Sequence, residues 1–172
     1  MSNWLFASTF VAALGSALMA GLFFTFSNSV MTAFGKLPPA TGIAAMQSIN
    51  IWILNPVFAA VFFGTSAISA LLALVALLNL AQTWSLPLLA ASLCYFVGSL
   101  LVTMIFNVPL NNRLAAARPE TTDAASLWVD YLRVWTAWNH LRTVLSLAAT
   151  ALFIWALCAA SGGLNFSGSL AD

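Results

Sequence analysis

Residues 51–80 read IWILNPVFAAVFFGTSAISALLALVALLNL, a run without one charged side chain. A membrane span needs about 20 consecutive apolar residues, and across that distance in lipid a helix satisfies its own backbone. Residues 4–26 and 84–106 repeat the pattern, and 138–160 does so with Arg142 just inside it. A single apolar run could be a buried core helix, but four in one chain of 172 residues predict an all-α integral membrane protein. The sequence is 5% charged and 62% hydrophobic, where a soluble domain carries about a quarter charged residues.

The few charges are not spread evenly. Seven of nine, with the sole histidine, fall between Arg113 and Arg142; Lys36 is the only one before them and Asp172 the only one after. A net charge of +1 and the absence of a basic stripe exclude a nucleic-acid partner. Lys36 lies between the first two runs, and Arg113, Arg118 and Arg133 lie between the last two. Positive residues stay cytoplasmic, so both termini are expected outside the cytoplasm, in a bacterial inner membrane. Met1-Ser-Asn lacks the positive n-region of a signal peptide, so the first run reads as a retained span. Trp4, Trp84, Trp135 and Trp138 sit at span ends, where indole rings favour the lipid–water boundary. Cys94 and Cys158 are isolated, without the paired spacing of a redox site, and read as small buried hydrophobes.

Punctuation divides the chain further. Gly15, Gly21 and nearby small residues let the first span pack closely; such a face permits a homo-oligomer without requiring one. Pro38 and Pro39 stop the first helix, an amphipathic segment follows from Ala40, and Asn55-Pro56 should kink or restart the chain. The short turn at Gln82 makes spans two and three antiparallel neighbours. Pro109 is expected to break regular structure after the third span. Thr121 or Thr122 caps a helix that stays helical from Asp123 through Arg142 into the fourth span. Gly162-Gly163 ends it, leaving residues 161–172 as a disordered tail in which Asn165 fits a glycosylation sequon. The reading is one domain: a four-helix membrane bundle with a cytoplasmic helical cap.

Three clusters could carry chemistry. In the first, Trp128, Tyr131, Trp135, Trp138, Asn139 and Arg142 form a stripe at helical spacing. Aromatic rings ending in an amide and a guanidinium suit a flat, oxygenated ligand; an interfacial aromatic anchor explains the same stripe without a ligand. His140 falls on a neighbouring side, and it is the one side chain here that ordinarily exchanges a proton near neutrality. The second cluster is Asn107, Asn111 and Asn112 around Pro109. The third is Gln47, Asn50 and Asn55. Amides are costly in hydrocarbon unless hydrogen-bonded, and all three groups fall on one side of the bilayer, which points to a pocket opening there. One histidine and no carboxylate within a span supply neither bis-His haem ligation nor a metal site.

Five blocks in order, Val30-Met31, Leu37-Pro38-Pro39 with Ala45-Met46-Gln47-Ser48-Ile49-Asn50, Leu54-Asn55-Pro56, Asn107-Val-Pro-Leu-Asn-Asn112 and Trp135-Thr-Ala-Trp-Asn-His-Leu-Arg-Thr143, resemble the DUF1772 family, which contains the anthrone oxygenases. The resemblance runs from Gly21 to Leu157, departing at Thr32, where many members have proline. It implies a four-helix membrane protein that oxidises an anthrone to an anthraquinone with O2, with no metal, flavin or other cofactor.

On that resemblance the expected catalytic residues are His140 as base, with Arg142 and Asn139 stabilising the oxyanion. Asn107 and Asn111 would orient the substrate's oxygens, Trp135 and Trp138 would stack on it, and Gln47, Asn50 and Asn55 would line the same pocket. The expected partners are a lipophilic aromatic molecule, O2 and the bilayer. A non-catalytic carrier for a quinone-like molecule, and a structural subunit whose Trp and Asn merely pack, are the other readings.

Overall fold

The computed structural model describes residues 1–162; the tail from residue 163, including Asn165 and Gly163, lies outside them. Among these residues every regular element is a helix, and four are long and apolar enough to cross a membrane: Asn3–Phe34, Pro56–Leu78, Ser85–Ala115 and Thr122–Ala160. The first joins α1 (Asn3–Thr25) and α2 (Met31–Phe34) through a π-helical segment, Phe26–Val30. Then come α3 (Pro39–Trp52) and α4 (Pro56–Leu78). The third joins α5 (Ser85–Tyr95) to α6 (Val108–Ala115) through two π-helical segments, Phe96–Leu101 and Thr103–Asn107, and α7 (Thr122–Ala160) ends the chain.

Local chemistry sets several of these ends. Asn55 caps α4, its side chain accepting from the Phe58 amide at 3.0 Å, so the helix restarts at Pro56 as Asn-Pro predicts. Thr121 caps α7 by accepting from the Ala124 amide. Gly162 follows the end of α7 with φ 69°, a left-handed backbone that glycine adopts at no steric cost.

Pro109 departs from expectation: the helix does not break there. The missing amide falls in the first turn of α6, directly after a π-helical segment whose wider turn already lacks the regular hydrogen-bond ladder.

In the bundle α7 packs on α1 and α5, while α4 packs on α5 and α1, so the four long helices close on one another. Gly98 lets α7 come close, since a Cβ there would meet the Leu145 side chain. At 39 residues α7 is about 58 Å long, nearly twice the ~30 Å hydrocarbon core. Its N-terminal half therefore extends beyond the bundle, where α3 and α6 pack on it and α2 packs on α3 to form a helical cap.

Two hydrophobic cores result. One runs through the bundle and includes Phe23, Phe62, Leu72, Tyr95 and Phe153. The other lies under the cap and contains Met31, Ile43, Met46, Leu114, Trp128, Tyr131 and Trp135. Trp128, Tyr131 and Trp135 thus face the protein interior, and the boundary-anchor reading fails for Trp135, only 5% exposed, as it does for Trp84 at 6%. Trp4, 59% exposed, keeps it.

Candidate functional site

Where the two cores meet, a cavity of about 520 Å³ opens between α1, α3, α4, the Thr103–Asn107 segment, α6 and α7. Its walls are mostly apolar, from Phe23, Phe26, Met46, Phe58, Phe62, Met104 and Trp135. Polar groups gather at Gln47, Asn50, Thr103, Asn111, Asn112, Asn139 and Arg142. An apolar hollow with a few placed polar groups is the usual form of a small-molecule site. The Phe26–Val30 and Thr103–Asn107 segments contribute Phe26 and Thr103; single π turns of this kind occur often at functional sites.

Arg142 is the centre of the polar end. It is 5% exposed, with Nη1 donating to Thr103 Oγ1 at 3.1 Å and Nη2 donating to Asn139 Oδ1 at 2.6 Å. Its guanidinium carbon lies 4.2 Å from the centroid of the Phe23 ring and 5.2 Å from that of Trp135, within cation–π range. Nε is buried without a partner. Among the described residues the one ion pair is exposed, Arg133 with Asp130 at 3.2 Å, so no described carboxylate balances Arg142.

Asn139 is fully engaged. Besides accepting from Arg142, its Nδ2 donates to Phe23 O and Ser27 Oγ, both at 2.7 Å, tying α7 to α1. It therefore positions the guanidinium and has no amide hydrogen left for an oxyanion.

The second fixed point is Asn111. Its Oδ1 accepts from the Tyr131 hydroxyl at 2.7 Å and from Trp135 Nε1 at 2.8 Å. Those bonds hold the Trp135 indole as a wall and leave the Asn111 amide nitrogen without a partner on a residue that lines the cavity. Gln47 donates to Leu114 O and Ala117 O, closing the end of α6. Asn50 lines the cavity, and its Nδ2 is buried without a partner.

Of the residues expected from sequence, the fold thus brings Arg142, Asn139, Asn111, Trp135, Gln47 and Asn50 to one cavity. Four others stand elsewhere. His140, next to Asn139 but about 100° around the helix, is exposed and lines no part of the cavity. Trp138 stacks on Phe106, with centroids 3.6 Å apart and planes 8° from parallel, outside the cavity lining. Asn107 is buried behind the wall, its Nδ2 donating to Trp135 O at 3.3 Å. Asn55 is exposed and spent on capping α4.

Ser27, Thr103 and Phe23 escaped the sequence reading. Thr103 had a signal, since residues 103, 107 and 111 repeat at four-residue spacing; Ser27 and Phe23 lie in the first span and had none beyond a serine in an apolar run.

A family model described as anthrone oxygenase matches residues 56–152, more than half of the chain. The match covers α4 to most of α7, hence Asn111, Trp135, Asn139 and Arg142, and begins after the α1 and α3 walls. No curated protein and no solved structure matches the chain.

Proposed function

The chain belongs to the anthrone oxygenase family, and from that membership we propose that it oxidises an anthrone-like, planar phenolic molecule with O2 to the quinone, without a cofactor. In this reaction the substrate methylene becomes a ketone. One atom of O2 becomes the ketone oxygen, and the other leaves as water with the two methylene hydrogens. The carbon supplies all four electrons that O2 accepts, so no outside reductant is required.

The observation that carries the reading is Arg142 in an aromatic-walled cavity. Oxidation by O2 proceeds from the electron-rich enolate, and a fixed guanidinium beside its oxygen stabilises that charge without reorganising. Asn139 and Thr103 hold the guanidinium, the Asn111 amide is free to donate to a second substrate oxygen, and Trp135 supplies a flat wall. The apolar walls give O2 a place beside the enolate.

Oxygen uptake by the detergent-purified protein given a hydroxyanthrone tests this, with the spontaneous rate and Arg142→Gln as controls. Uptake above background that falls at least tenfold in the variant supports the oxygenase. Tight binding with no uptake means a carrier for lipophilic aromatics using the same cavity.

A further inference from the structure

We infer that the cavity takes its ligand as an aromatic oxyanion, an enolate or phenolate that forms as the molecule seats on Arg142, with no protein base taking its proton. The inference rests on the proposed function for the aromatic body of the ligand; the charge is argued from the site itself.

A cation inside a membrane bundle is costly and is ordinarily found with a counter-charge. Arg142 has none among the described residues, only two π faces and two neutral acceptors. Guanidinium carries five N–H groups, of which two are bonded and Nε is buried without a partner. The amide nitrogens of Asn111 and Asn50 are unspent donors beside it, and the lining's free amide oxygens, on Asn50 and Asn112, carry no charge. Such a set of donors is complementary to negative oxygen.

Among the described residues the lining also contains no Asp, Glu, His, Cys, Lys or Tyr. No side chain there can accept the ligand's proton at neutral pH, so the proton must leave to water. Arg142 stands where that is feasible: 18 residues before the end of α7 at Ala160, it lies about 27 Å along the helix, close to the full ~30 Å hydrocarbon thickness. A fixed cation favours the ionised form of an acid beside it. A neutral phenolic molecule arriving from lipid therefore ionises as it seats, its rings remaining against the apolar walls of the cavity.

The probe is a dihydroxyanthraquinone whose phenolate absorbs at longer wavelength than the phenol, titrated with pH in lipid nanodiscs with and without protein. The expected midpoint for bound dye is at least one pH unit below that in empty nanodiscs, with Arg142→Gln restoring the empty-nanodisc value. Should that variant fail to fold, Arg142→Lys, which keeps the charge, is expected to retain most of the shift. An unshifted or raised midpoint in the native protein overturns the inference. Oleate displacing the dye at equal concentration overturns its aromatic part. A lowered midpoint without O2 uptake from hydroxyanthrone leaves the inference standing and the oxygenase reading fallen; uptake with an unshifted midpoint does the reverse.

Discussion

Asn139 Oδ1 accepts a 2.6 Å hydrogen bond from Arg142, three residues later on the same helix, while its amide nitrogen donates to Phe23 O and Ser27 Oγ on another. One neutral side chain thereby fixes the guanidinium and pins α7 to α1. Replacing it by Asp adds a counter-charge beside Arg142 and removes the amide hydrogens given to Phe23 O and Ser27 Oγ. Asn139→Asp is expected to lower the unfolding temperature and, in the folded fraction, to weaken binding of an anionic hydroxyanthraquinone at least tenfold, measured by equilibrium titration. Unchanged affinity would contradict a ligand anion at Arg142.

Asn111 holds two donors with one oxygen. Asn111→Leu leaves the Tyr131 hydroxyl and Trp135 Nε1 without their acceptor, at about 1–3 kcal/mol for each group kept from water. Thermal unfolding in detergent should show a loss of about 2 kcal/mol or more, and Asn111→Asp, which keeps the acceptor, should restore much of it.

His140 is exposed and outside the cavity lining. His140→Ala is expected to keep oxygen uptake within about twofold of the native rate, surface changes of this kind being nearly neutral in stability. A loss of tenfold or more would return the base to His140 and require a route for its proton around α7.

Helix approach is testable with two glycines. A Cβ on Gly98 would meet Leu145, whereas one on Gly64 meets nothing within 4 Å. Gly98→Ala should cost about 1–3 kcal/mol through overpacking, read as a lowered unfolding temperature, and Gly64→Ala should be neutral or slightly stabilising.

The charge-free runs at 51–80 and 84–106 made the bundle legible, because transfer out of water outweighs every local preference over such lengths. Asn55-Pro56 and Thr121 also marked their helix starts, since caps act through neighbours in sequence. The face of each residue was harder. Along α7 the spacing picked out Trp128, Tyr131, Trp135, Asn139 and Arg142, all of which are buried, yet it also drew in Trp138, which stacks outside the cavity. In the first and third long helices the π turns add residues to a turn and shift every later position around the axis. That phase change is invisible to regular 3.6-residue counting, which is why Pro109 was expected to end a helix it only begins.

The separation of the two hydrophobic cores, with the cavity at their junction, sets where change is tolerated. Residues deep in the bundle, such as Leu72 and Phe153, hold the fold while contributing nothing to the cavity lining. The cavity walls draw on both cores, Phe23 and Phe62 from the bundle and Met46 and Trp135 from the cap, so a change in either core that reaches the junction reshapes the hollow, whereas one at Leu72 or Phe153 does not.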